Sequence, residues 1–151
     1  MALSIYTVTV DAIALVAATA KSIFEIGTAS TNRAKIKEWW VDFDGVTASA
    51  VPVKVEVQRF SAAVTTATTI TPDPIDGAEA AESTCKHSTS TEGAGTATAG
   101  SGWIKRIPPT SGFHYIAVEG RELLIPVSAF FRIRCTAAAG VNVSFGFVFE
   151  E

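Results

Sequence analysis

Two histidines, His87 and His114, are the natural proton carriers in this sequence, and they stand in separate regions with no partner at a working spacing. Neither lies in a metalloprotease-type His-Glu-x-x-His pattern, and no nucleophile elbow, P-loop or dinucleotide-binding glycine pattern occurs. His114, in Phe113-His114-Tyr115, reads as a strand residue. Gly93-Ala94-Gly95 sits in polar low-complexity sequence and not between a strand and a helix, so it is no phosphate cradle. Asp42 and Asp44 share a neighbourhood, but Asp44 precedes Gly45 and has a turn-forming role of its own. Asp73, Asp76 and Glu79 lack the spacing of an EF-hand loop. Cys85 and Cys135 stand in no Cys-x-x-Cys or Cys/His ligand spacing. They permit one disulfide without demanding it. Cys135 alternates with Phe131 and Ile133 and reads as a buried free thiol, whereas Cys85 lies in polar sequence and is left open. The Asn142-Val143-Ser144 sequon falls in a core-strand pattern. These residues imply no enzyme, no metal and no cofactor.

The elements that would position such groups are strands. Val51, Val53, Val55 and Val57 alternate with Pro52, Lys54 and Glu56, with Gln58 continuing the polar face. That period of two marks a half-buried strand with valines inward. Trp39, Val41 and Phe43 alternate likewise with Glu38 and Asp42. Near the end of the chain, Val143, Phe145, Phe147 and Phe149 make the most apolar face, and Gly140 with Ala137–Ala139 suggests a hairpin to Phe130–Thr136. Further strands are expected near Ser4–Val10, Ala12–Val16, Ser22–Ile26, Glu82–Thr89, Trp103–Ile107, Phe113–Val118 and Glu122–Ile125. Asp76–Ser83 could make one or two helical turns. The sum is an all-β chain, a β-sandwich or barrel, whose strand count suits a jelly roll best.

At 151 residues the chain fits a single domain, 1–151. Within it, 61–102 is dominated by Ala, Thr, Ser and Gly, a composition unable to order itself in isolation. This low-complexity excursion is expected to be ordered by a neighbouring chain. Only 18% of residues are charged and the formal net charge is −3. The basic residues form short stripes, Lys35/Lys37 and Arg132/Arg134, read as solvated or interface-facing. They are too few for a nucleic-acid surface. Ala12–Ala20 is too short to span a membrane, and with Asp11 at its border and no basic segment before it, it reads as strand or loop rather than a leader.

Adjacent aromatics on a strand point to opposite faces, so Trp39-Trp40 and Phe130-Phe131 cannot all enter one core. Trp39, Trp40, Trp103, Tyr115 and Phe130 are therefore the candidate interface anchors.

The chain resembles small structural proteins of tailed bacteriophages of the head-decoration type. The residues carrying the resemblance include Ala20-Lys21-Ser22-Ile23-Phe24, Asn32–Glu38, Phe43-Asp44-Gly45, Ala50–Glu56, Leu124-Ile125-Pro126-Val127 and Arg134-Cys135-Thr136-Ala137, together with Met1–Tyr6. They cover the two ends of the chain and leave 61–102 largely unmatched. The resemblance implies a jelly-roll-like domain made in the bacterial cytoplasm and carried on the virion. There it would bind the major capsid protein from outside and cement capsomers, often as a homotrimer, with neither nucleic acid nor membrane as partner. A different expectation keeps the sandwich but makes it a virion-surface carbohydrate- or receptor-binding module, with Trp39, Trp40 or Trp103 stacking on sugar. A hydrolase-like β enzyme fits least, for want of an acid/base constellation.

Overall fold

The computed structural model describes residues 4–47, 51–75, 77 and 79–151. Twelve strands form along them: β1 (Ile5–Leu15), β2 (Ala20–Gly27), β3 (Ala34–Phe43), β4 (Val53–Phe60), β5 (Thr66–Ile70), β6 (Asp73–Pro74), β7 (Thr84–Thr91), β8 (Trp103–Ile107), β9 (Gly112–Ile116), β10 (Leu123–Ile125), β11 (Phe130–Thr136) and β12 (Val141–Glu150). No helix forms among the described residues. Around Asp76–Ser83, where helical turns were expected, the described residues are bends and coil, while Asp76 and Ala78 lie outside the described set.

All the pairings are antiparallel, and they build two sheets. Sheet A runs β10–β3–β12–β1–β6, with β9 also on the outer edge of β3; sheet B runs β5–β7–β2–β11–β4–β8. The sheets pack into a β-sandwich. Period-two alternation explains why. On β12 the side chains of Val143, Phe145, Phe147 and Phe149 are all fully buried, as are Val55 and Val57 on β4 and Phe131, Ile133 and Cys135 on β11. The Phe24 ring of sheet B meets Phe145 and Phe147 of sheet A at centroid distances of 5.3 and 4.6 Å.

Two expectations change. β11 and β12 are not a hairpin: β11 pairs with β2 and β4, β12 with β1 and β3, so residues 137–140 arch from one sheet to the other. Alternation says which side of a strand faces inward, not which sheet it joins. Val51 is not in the core either. It precedes β4 and stands 63% exposed, leaving Val53, Val55 and Val57 as the inward set.

The 61–102 segment has its partners within this domain. β7 pairs with β2, β5 with β7, and β6 with β1. The legs joining this insertion to β4 and β8 run side by side: Thr98 N–H donates to the Arg59 carbonyl at 2.8 Å, Ser61 N–H to Thr96 O at 3.1 Å and Thr65 N–H to Thr91 O at 3.1 Å. They cross the outer face of sheet B.

Beneath them Arg132 is wholly buried, against the expectation of a solvated stripe. Its Nε donates to Glu25 Oε2 at 2.7 Å, Nη2 donates to the Ala62 carbonyl, and the guanidinium lies 4.3 Å from the Phe60 ring centroid. Glu25 in turn accepts from Val64 N–H at 2.9 Å, and Glu92 caps Ser22 through both its backbone N–H and its hydroxyl. Here a buried charge is tolerable because the guanidinium and the Glu25 carboxylate both have partners.

Candidate functional site: a valine-rich loop end and an open sheet face

Four connections meet at one end of the sandwich: 16–19 after β1, the described residues 44–47 and 51–52 after β3, 108–111 after β8 and 137–140 after β11. They are tied together by backbone hydrogen bonds. Gly45 N–H donates to Pro109 O at 2.8 Å, Phe43 N–H to Ser111 O at 3.3 Å and Ala18 N–H to Ala137 O at 2.7 Å. Gly45 approaches Pro109 so closely that a Cβ there would collide with the Pro109 carbonyl. Asp44 is the one charged residue in these four connections, and it is committed. Its carboxylate accepts from Asn142 Nδ2 at 2.7 Å and Asn142 N–H at 2.8 Å, which hold it below the usual carboxylate range.

Beside Asp44 and the exposed hydroxyls of Thr19, Thr47, Thr110 and Ser111, this end offers solvent a group of valines. Val46 is 96% exposed, Val16 65% and Val51 63%. A cleft of about 370 Å³ opens between the connections, lined by Val46, Val51, Val53, Pro109, Ala138 and Val141 among others. The opposite end carries Arg33, Glu82 and Glu151, while Glu119, Arg121 and Glu122 lie on the turn at the edge of β3 beside Lys37. Clustered exposed valines beside a single carboxylate, Asp44, are the kind of surface a partner covers. From the sequence, Val51 and Val53 read as core valines, and Val16 and Val46 are not singled out. Four turns with one charge among them are the available signal, but only the fold brings the turns together.

The five expected anchors do not converge. Trp39 is fully buried in the core, so it is no surface anchor; its ring packs 5.3 Å from Phe113 and 6.1 Å from Tyr115. Its indole N–H has no hydrogen-bond partner. Trp103 and Tyr115, 4.7 Å apart, close the edge between β8 and β9 and pack against the core. Phe130 lies on sheet B, half-buried against Gly27. Only Trp40 stands on the open outer face of sheet A.

Candidate chemistry is equally scattered. His114 Nε2 lies 2.6 Å from Glu38 Oε1 on that outer face, while His87 bonds the Ser88 hydroxyl at 2.9 Å on sheet B, where burial lowers its pKa. Both cysteines are buried and free, and burial pushes both thiols far up, away from the reactive thiolate. No group of three His, Cys, Asp or Glu side chains that could hold a metal ion occurs among the described residues. Likewise, no helix among them is long and apolar enough to cross a membrane.

No known protein-family model, curated protein or solved structure matches the chain.

Proposed function

We propose that this protein is a virion structural protein of the head-decoration type, which binds the outer surface of a capsid and stabilises the shell by contact area rather than by a chemical step. The observation that carries this reading is the valine-rich loop end. Val16, Val46 and Val51 stand exposed around an apolar cleft, and the one charged residue of the surrounding turns, Asp44, is hydrogen-bonded to Asn142. Such a surface gains by burial against a partner, at roughly 25 cal/mol per Å² of apolar area. The strand order supports reading the sandwich as a jelly roll: with β5, β6 and β7 set aside, β1–β12–β3–β9/β10 faces β2–β11–β4–β8. The 61–102 segment is then an insertion between β4 and β8.

In this reading the partner is the major capsid protein, and the protein acts as a homotrimer synthesised in the bacterial cytoplasm. A trimer carries three copies of the loop end. Weak individual contacts then act together through high effective concentration, and binding only the assembled shell stabilises that shell by mass action.

The experiment compares heads assembled with and without the protein. Decorated heads are expected to rupture at higher temperature, and added protein to restore stripped heads. Val46→Asp with Val51→Asp should abolish that restoration while leaving the β-sheet circular dichroism unchanged, because both side chains are exposed. Equal rupture temperatures, restoration by the double variant, or hydrolysis of a glycan or peptide by the purified chain would defeat the reading. Sedimentation equilibrium tests the trimer.

A further inference from the structure

The outer face of sheet A holds an arrangement that capsid binding does not use. Trp40 and Asp42 are two apart on β3 and point to solvent, and each lies down over a glycine on a neighbouring strand. Trp40 is directly opposite Gly146 of β12, and Asp42 is directly opposite Gly112 of β9. A Cβ on Gly146 would collide with the Trp40 indole along its Nε1–Cζ2 side, and one on Gly112 would collide with the Asp42 carboxylate. Gly146 lies inside β12 and Gly112 opens β9, and a glycine in a strand marks a place where something approaches the backbone closely. An aromatic ring shielding a glycine explains the first pair by itself. It does not explain the second, because a carboxylate gains nothing by covering a glycine.

Around these two side chains the surface is polar and low. His114 stands opposite Trp40 on β9, with Glu38 bonded to it, and Thr9 lies beyond Gly146 on β1. An open cleft of about 430 Å³ runs past Glu38, Trp40, Asp42 and His114. We infer that this face is a binding site for a neutral saccharide, with Trp40 contacting the apolar C–H face of a pyranose ring and Asp42 and the Glu38–His114 pair taking its hydroxyls. One aromatic in a polar surround is too little apolar surface for a protein partner. The carboxylates of Glu38, Asp42 and Asp11 disfavour an anionic sugar. Four strands at ~4.8 Å spacing give a strip wide enough for a short oligosaccharide.

The test is a titration of the full ¹⁵N-labelled chain with maltotriose, cellotriose and chitotriose, read by NMR. At least one of the three should shift the Trp40 indole N–H and the amides of Thr9, Asp42 and His114, leaving the Trp39 and Trp103 indoles in place. Trp40→Ala should weaken binding by ~10-fold or more. Trp40→Phe, which keeps a ring over Gly146, should retain part of it, so a loss confined to the alanine variant is not a folding defect. Asp42→Asn should weaken binding without moving the rest of the spectrum. The inference is wrong if no saccharide moves the Trp40 indole, if binding survives in a folded Trp40→Ala chain, or if tetramethylammonium shifts the indole at lower concentration than every sugar. Capsid stabilisation is read separately, so either result can fail alone.

Discussion

Sheet B turns Glu25, Glu56, Gln58, Phe60 and Arg132 away from the core, yet all five are buried: the two legs of the 61–102 insertion lie over Arg132 and Glu25, and Glu56 is held between Lys54 and Arg134. Sheet A turns Thr9, Asp11, Trp40, Asp42 and His114 outward, and no described segment covers them. One sandwich thus carries two outer faces of similar polarity and opposite fate. The difference teaches what covering a polar face requires. Each charge beneath the legs has a partner, with Arg132 bonded to Glu25 and Ala62, and Glu25 bonded to Val64. The low-complexity composition also finds a reason. Small residues let the legs lie close, and a Cβ on Gly95 would meet Ala62 O at 2.6 Å and Arg132 Nη2 at 3.1 Å.

The strongest way to break this contrast is Arg132→Met. It leaves the Glu25 carboxylate buried without its cation, a change expected to cost about 3–5 kcal/mol in urea denaturation. Hydrogen exchange should show residues 61–65 and 92–98 losing protection before sheet A does. Adding Glu25→Met should recover part of the loss, since it removes the unpaired carboxylate but leaves the Val64 N–H and the Ala62 carbonyl without their partners. A cost below about 1 kcal/mol for the single variant would mean the ion pair does not hold the cover.

On the open face the corresponding change is Gly146→Ala. The added methyl must displace the Trp40 indole, so a loss of about 1–3 kcal/mol is expected. In a Trp40→Ala background the same substitution should become neutral or mildly stabilising, by up to about 0.5–1 kcal/mol. Strictly additive effects in that double-mutant cycle would show that the ring does not rest on Gly146.

Much of the core was legible because it rests on alternation alone: Val53, Val55, Val57, Phe145 and Phe147 face inward as their spacing says. What alternation cannot express is what lies beyond the second face. Arg132 reads as solvent-facing from its own strand, and only the insertion, arriving from far along the chain, buries it. The same limit hid the loop end, whose apolar turns are distant in sequence. Adjacent aromatics did separate across the sheet as expected, Trp39 inward and Trp40 outward, but spacing gives no preference for which ring takes the core. The helical turns near Asp76–Ser83 failed for a plainer reason: a short stretch of good helix formers cannot offset the cost of a nucleus without a packed face.

Each sheet also holds one non-glycine residue at positive φ inside a strand, and the two should respond differently. Ala12, at φ 53°, sits in the bulge of β1 between Val10 and Ile13. Alanine in the left-handed region costs roughly 1 kcal/mol, so Ala12→Gly should stabilise by about that amount. Ser88 of β7, at φ 51°, bonds His87 Nδ1 through its hydroxyl at 2.9 Å. Ser88→Gly relieves the same backbone cost but loses that bond, so its gain should be smaller. A larger gain for Ser88→Gly would assign the hydroxyl no stabilising role.

The smallest effect separates exposed ion pairs from the covered one. On sheet A, Lys35 bonds Glu150 at 3.0 Å, and Lys37 bonds Glu122 at 2.9 Å and Glu150 at 3.2 Å. Hydrogen bonds from the two lysines hold Glu150 below its ordinary 4.5, the Lys37 bond does the same for Glu122, and Glu122 with Glu150 holds Lys37 above 10.5. For the carboxylates the folded pKa is depressed, so their contribution is present above 4.5 and is lost as pH falls through the folded values. For Lys37 the folded pKa is raised, so its contribution is present below 10.5 and is lost as pH rises through the folded value. A plateau between those limits is expected. Lys35 is 42% exposed, so the network is screened, and Glu150→Gln should cost under about 1 kcal/mol at low salt. In 1 M sodium chloride, where the Debye length is about 3 Å, that cost should nearly vanish. The Arg132→Met penalty should persist at the same salt, because ions do not reach a pair with side-chain exposures of 0% and 2%. Thermal unfolding of both variants across salt decides it: a salt-independent Glu150→Gln cost, or an Arg132→Met penalty that fades with salt, would erase the distinction between the covered and open faces.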